Sequence, residues 1–101
     1  MENSFVKEKK ESTLVVHMSG RLDSMNAAEF SRDILASLAD VSTVILDFAE
    51  LIYISSAGLR ALLQIKKQMN QQNGEVIVKN LSGEITEVFT MTGFDQILKV
   101  E

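Results

Sequence analysis

The run Thr43 to Phe48, TVILDF, is apolar on both faces. A strand that faces water on one side alternates apolar and polar residues, so this run predicts a central strand covered on both sides. Shortly after it, Leu51 to Leu63 reads LIYISSAGLRALL. The apolar run there gives way to helical spacing at Ser55 and Ser56, which places the two serines where a buried strand hands over to a helix.

The rest of the chain supplies partners for that strand. Thr13 to Met18 sets Leu14, Val16 and Met18 on one face and Val15 and His17 on the other, the period of a strand. Phe5 to Lys9 is predicted to pair with it as an edge strand, turning near Glu11 and Ser12, and Gly20 is predicted to end it. Asn26 to Leu38 carries Ala27, Phe30, Ile34, Leu35 and Leu38 at helical spacing, with Ser24 or Asn26 as the cap. The helix from Ser55 or Ser56 turns Leu59, Leu62, Leu63 and Met69 inward and stops before Gly74, read as a left-handed C-cap. Glu75 to Lys79 is a short strand. Gly83 to Thr92 is a helix with Ile85, Val88 and Phe89 inward, stopped by Gly93, and Ile97 to Val100 is a last edge strand. Strands alternating with helices predict an α/β fold with a mixed, largely parallel sheet. At 101 residues the chain makes one domain, residues 1–101.

Composition removes several function classes. There is no cysteine, so disulfides, thiolate metal sites and thiol catalysis are excluded, and no metal or cofactor is expected. The net charge is −4, and the basic residues are scattered apart from Lys7 to Lys10, which argues against nucleic acid. That KEKK cluster suits an edge strand guarded by lysine. The start lacks the apolar core of a signal peptide and no run is long enough to cross a bilayer, so the expectation is a cytoplasmic protein without a membrane partner.

Three roles compete for the paired serines. One of them is the N-cap, accepting a backbone N–H that the helix leaves unpaired. A nucleophile would need a base within reach, but the only histidine, His17, sits on a strand, and the G-x-S-x-G elbow is missing. No catalytic residue is therefore assigned. The third role is a phosphorylation site. A phosphate adds about −1.5 to −2 charges, which a helix N-terminus tolerates through its free N–H groups and positive dipole end.

Asp47 to Arg60, DFAELIYISSAGLR, resembles the signature of STAS domains, most of all the stand-alone anti-sigma factor antagonists of bacteria. Gly20-Arg21-Leu22-Asp23 resembles the family's G-x-L-D step, and Met91-Thr92-Gly93-Phe94 its motif after the third helix. The resemblance spans essentially the whole chain, in order. It implies a STAS fold, a mixed sheet of four or five strands flanked by helices. It also implies a non-enzymatic switch: the unphosphorylated chain binds an anti-sigma factor serine kinase and frees the sigma factor, phosphorylation breaks the complex, and a PP2C-type phosphatase restores it. Many members read D-S-[ST]-G where this chain has Ser55-Ser56-Ala57-Gly58. Aligned on the glycine, Ser56 falls on the acceptor and Ser55 replaces the aspartate, so Ser56 is the expected acceptor and Ser55 its rival. The implied partner surface is Asp23, Ser24 and Asn26 in the loop after the second strand, with Ser55, Ser56, Ala57, Gly58 and Arg60. Gln64, Lys67 and Gln71 continue the Arg60 stripe as a solvated face. The free chain is expected to be a monomer. The alternative function is a STAS subunit of a lipid-transport complex.

Overall fold

The computed structural model describes residues 4–101 and contains five strands and three α-helices. They are β1 (Ser4–Lys10), β2 (Thr13–Leu22), α1 (Ala27–Ala36), β3 (Thr43–Ile54), α2 (Ser56–Gln71), β4 (Glu75–Lys79), α3 (Gly83–Thr92) and β5 (Lys99–Val100), with a short 3₁₀ turn at Phe94–Gln96. The sheet order is β1-β2-β3-β4-β5. Only the β1–β2 pair is antiparallel; each later pair is parallel and joined through a helix. The predicted α/β class, with its mixed, largely parallel sheet, is the one observed.

All three helices lie on one face of this sheet. A chain that adds parallel strands in one direction through right-handed crossovers has no other place for them. Leu14, Val16 and Met18 of β2, Val44, Leu46 and Phe48 of β3, and Val76 and Val78 of β4 form the sheet's share of a single core. From α1 come Ala27, Phe30 and Ile34, from α2 Leu59, Ala61, Leu62, Ile65 and Met69, and from α3 Ile85 and Phe89. Phe89 meets Phe48 edge to face at a centroid separation of 6.5 Å, and Phe30 meets Phe5 of β1 at 5.2 Å. These contacts fix α3 over the middle of β3 and α1 over the β1 edge.

The expected second cover over β3 is absent. Val15, Ile45 and Ile77 share a row on the opposite face, in register across β2, β3 and β4. Ile77 is 8% exposed yet lies outside the core cluster, because its strand neighbours alone shield it. Several boundaries also shift. β3 runs on past Phe48 to Ile54, since the end of β2 remains extended beside it, with Leu22 opposite Ile54. Gly20 therefore does not end β2; it sits inside it at φ 81 beside a register shift, a bulge that requires glycine. Leu63 is exposed, and Ala61 and Ile65 take the inward places on α2. The left-handed residue after α2 is Asn73, at φ 57, not Gly74. Gly74 is needed for room instead: a Cβ there would lie 2.8 Å from the carbonyl oxygen of Ser42 and against the tip of Met69. Gly93 ends α3 at φ 81 as expected. The last strand is shorter than expected, two residues at the β4 edge.

Candidate functional site

The site begins with how α2 starts. Ser55 is extended, at φ −95 and ψ 175, and each of its polar groups is engaged. Its N–H donates to Leu22 O at 2.9 Å, its carbonyl accepts from Leu59 N at 2.9 Å, and its Oγ accepts from Gly58 N at 3.2 Å. Ser55 is thus the N-cap of α2 and the hinge pin between α2 and the end of β2. Ser56 is the first helical residue; it is exposed, and its hydroxyl has no hydrogen-bond partner among the described residues. Gly58 shows why the two segments come so close. A Cβ on it would lie 2.7 Å from both Leu22 O and Ile54 Cγ1, so only glycine lets the first turn seat itself there. Ala57, half-buried against the core, fills the adjoining space without a polar group.

The loop after β2 forms the other side of the site and is held by its own side chains. Asn26 accepts from Asp23 N through Oδ1 at 2.9 Å and donates from Nδ2 to Arg21 O at 2.8 Å. Its side chain therefore closes the loop and caps nothing; neither does Ser24, so α1 starts without the side-chain cap expected for it. Asp23 accepts from Met25 N at 3.0 Å and faces Arg21 Nε at 3.4 Å. The Arg21 guanidinium in turn lies 4.1 Å over the ring of Tyr53, opposite it in the β2–β3 register. This contact ties the loop to the end of β3. Ser24 of the loop and Ala57 and Arg60 of α2 border one open groove, while Asp23, Asn26, Ser55, Ser56 and Gly58 lie outside its lining.

Residues that single-sequence reading did not mark complete the surface. Met25 is 89% exposed at the loop tip, and Tyr53 and Ile52 are exposed just before Ser55. Exposed large apolar side chains are features of a contact surface. Ile52 and Tyr53, the two exposed residues between Leu51 and Ile54, break the buried alternation of β3 and were the available signal. On α2, Arg60 is exposed one turn after Ser56 with no ion-pair partner among the described residues. Gln64 is exposed, as expected of a solvated face, and its side chain also accepts a hydrogen bond from the buried Ser31 of α1.

His17 serves another part of the fold. It stands on the open face of the sheet, its Nδ1 3.0 Å from Asp47 Oδ2 and its Nε2 3.0 Å from Glu8 Oε1. Both ring nitrogens are occupied, so it offers no base to either serine. Asp47 also accepts from Asn80 Nδ2 at 2.9 Å and from Ala49 N at 3.0 Å. Its carboxyl is held below the usual value of 3.8, first by the Asn80 bond and then by the Ala49 N–H and His17, against an opposing contribution from burial. The cluster locks β2 and β3 to the turn leaving β4. Among the described residues no group of His, Asp and Glu is arranged to hold a metal ion, and no helix is long and apolar enough to cross a membrane.

Known proteins share this fold. A Bordetella bronchiseptica protein designated a candidate anti-sigma factor antagonist, BtrV, is 35% identical over 94 residues, covering 92% of this chain and 81% of its own. The anti-sigma factor antagonist SpoIIAA in its unphosphorylated form superposes with a TM-score of 0.79 at 22% identity, covering 97% of this chain and 87% of that one. The phosphorylated form of SpoIIAA from Bacillus superposes with a TM-score of 0.78 at 23% identity, covering 97% and 91%. The STAS domain profile matches residues 4–101, and with it the chain belongs to the STAS domain family.

Proposed function

We propose that the chain is an anti-sigma factor antagonist that binds an anti-sigma serine kinase while Ser56 is unmodified and releases it once Ser56 is phosphorylated, a PP2C-type phosphatase reversing the change. The observation that carries this reading is the division of labour between the serines. The Ser55 hydroxyl is spent on the cap, whereas the Ser56 hydroxyl is exposed and unbonded at the first turn of α2. A phosphate on Ser56 can form without unmaking any hydrogen bond of the fold. One on Ser55 would remove the bond to Gly58. The name of the 35% identical BtrV supports the antagonist role, and SpoIIAA, solved both with and without phosphate, supports the switch.

The effect on a partner is electrostatic. A complementary surface shaped around a small neutral hydroxyl would have to bury an unpaired dianion, at a cost of several kcal/mol. Each 1.4 kcal/mol is tenfold in affinity. The test is a pair of variants titrated calorimetrically against the kinase. Ser56→Ala should bind like the native chain and resist inactivation by ATP, and Ser56→Asp should bind at least tenfold more weakly with its fold intact. Site-resolved mass spectrometry after incubation with kinase, ATP and magnesium should place phosphate on Ser56. Equal binding by both variants would sink the switch, and phosphate on Ser55 alone would move its address.

A further inference from the structure

Beside the Ser56 hydroxyl, α1 and α2 enclose an open groove of about 640 Å³. Its walls include Ala27 and Ala28 from α1 and Ala57 and Ala61 from α2, and its rim carries Arg32 and Arg60. No carboxylate lines it. Neither arginine has an ion-pair partner among the described residues, in a chain with 14 acidic and 10 basic residues. Four other cations are paired: Lys7 with Asp33, Arg21 with Asp23, and Lys79 and Lys99 with Glu101. Of the three arginines, Arg32 and Arg60 are the two without an ion pair among the described residues, and both stand over the same alanine floor.

We propose, resting on the antagonist reading above, that an acidic helical segment of the anti-sigma partner lies in the α1–α2 groove, gripped by Arg32 from one wall and Arg60 from the other. Short alanine side chains leave a trough into which the apolar side of an amphipathic helix fits. The two guanidiniums, with fork-shaped donors, fit carboxylates on that helix. A small-molecule site would need polar groups converging on its ligand. Between the alanines, the buried Ser31 hydroxyl is already bonded to Gln64. The trough opens beside Ala57, next to Ser56, so one partner can cover both.

Arg32 provides the clean test, since it lies on a different helix from Ser56. The probe is the purified anti-sigma factor kinase that the antagonist reading assigns as partner, titrated with native chain, Arg32→Glu and Arg32→Lys, the fold of each verified by its melting curve. Arg32→Glu should bind at least tenfold more weakly and with a flatter salt dependence. Arg32→Lys should recover most of the affinity, and amide shifts on adding the partner should reach Ala28 and Ala61. Native affinity from Arg32→Glu, with binding still weakened by Ser56→Asp, would overturn the groove contact and leave the switch standing. No binding by the native chain would overturn both. Self-association of the native chain that Arg32→Glu abolishes would assign the groove to a second copy and overturn the proposal.

Discussion

Two helices of this molecule begin in the same way and finish their first turns differently. α2 is capped by Ser55 and α3 by Ser82, each extended, each accepting an N–H from three residues on at 3.2 Å. α3 then places Glu84 in its first turn, and α1 places Glu29 in its own. The first turn of α2 has no acid; it has Ser56, Ala57 and Gly58. The positive end of a helix dipole is stabilised by negative charge, so α1 and α3 carry their compensation permanently and α2 does not. What distinguishes α2 is therefore a vacancy at the place where a removable charge does most, and the vacancy bears more on function than the serine cap, which both helices have.

The glycines of the two turns should separate them most widely. Gly58 sits where a Cβ meets Leu22 O and Ile54 Cγ1 at 2.7 Å, while a Cβ on Gly83 meets nothing within 4 Å. Gly58→Ala should lose about 1–3 kcal/mol by overpacking against a carbonyl that cannot move aside. Gly83→Ala should gain about 0.4–1 kcal/mol by stiffening the unfolded chain. Urea unfolding of both variants reads the difference. Equal effects would mean that the α2 start is not wedged against β2.

The caps come next. Ser55→Ala and Ser82→Ala each remove one bond of equal length, so each should cost about 0.5–2 kcal/mol, typically near 1. Ser56→Ala removes no bond and should leave the urea midpoint unchanged. A loss for Ser56→Ala as large as that for Ser55→Ala would exchange the roles assigned to the two serines.

Much of this arrangement was legible in the sequence. The apolar runs and the helical spacings marked every strand and helix, because the strands of the sheet centre and one side of each helix meet in one core. The one-sided cover was not legible. Ile45 is shielded by Val15 and Ile77 along its row, and burial by neighbouring strands leaves the same apolar pattern as burial under a helix. The far half of β3 was hidden by Ala49 and Glu50, which look like a break but lie at a bulge after which Glu50 pairs with Ser19 of β2. In the site, the motif located the serines but did not separate them, since which one caps depends on backbone angles. Asn26 was read as a cap because its type suits one; its side chain found closer partners in Arg21 O and Asp23 N. Arg32 gave no signal, because its place beside Arg60 arises only when α1 and α2 pack.

The two helix starts are also anchored differently, and pH should expose this. α2 is held to β2 by the backbone bond from Ser55 N to Leu22 O, whereas the turn before α3 is held by the side-chain bond from Asn80 to Asp47. The Asp47 carboxyl is depressed in the folded chain. Its contribution is therefore complete above the unfolded value of 3.8 and is lost as pH falls through the lower folded value. Asp47→Asn should remove on the order of 1 kcal/mol at neutral pH and flatten the acid limb of the stability curve. In the native chain the Ile85 amide should lose exchange protection in acid before the Gly58 amide does. Simultaneous loss would show that Asp47 anchors nothing specific to α3.

The smallest effect bears most directly on the vacancy. Ser56→Asp puts a permanent charge into the empty first turn of α2, and Glu84→Gln takes one out of the filled first turn of α3. A charge in the first turn is worth about 0.3–1 kcal/mol at low ionic strength. The first variant should therefore gain and the second lose by similar amounts, read as opposite shifts of the urea midpoint with an unchanged slope. Both shifts should shrink at high salt, since the charges are exposed and screened. Neither substitution touches a buried contact, because Ser56 and Glu84 are both exposed, so packing does not confound the sign. If Ser56→Asp is instead less stable than the native chain, the α2 start has no room for negative charge. A phosphate there would then act by loosening the site, and the switch would be conformational rather than electrostatic.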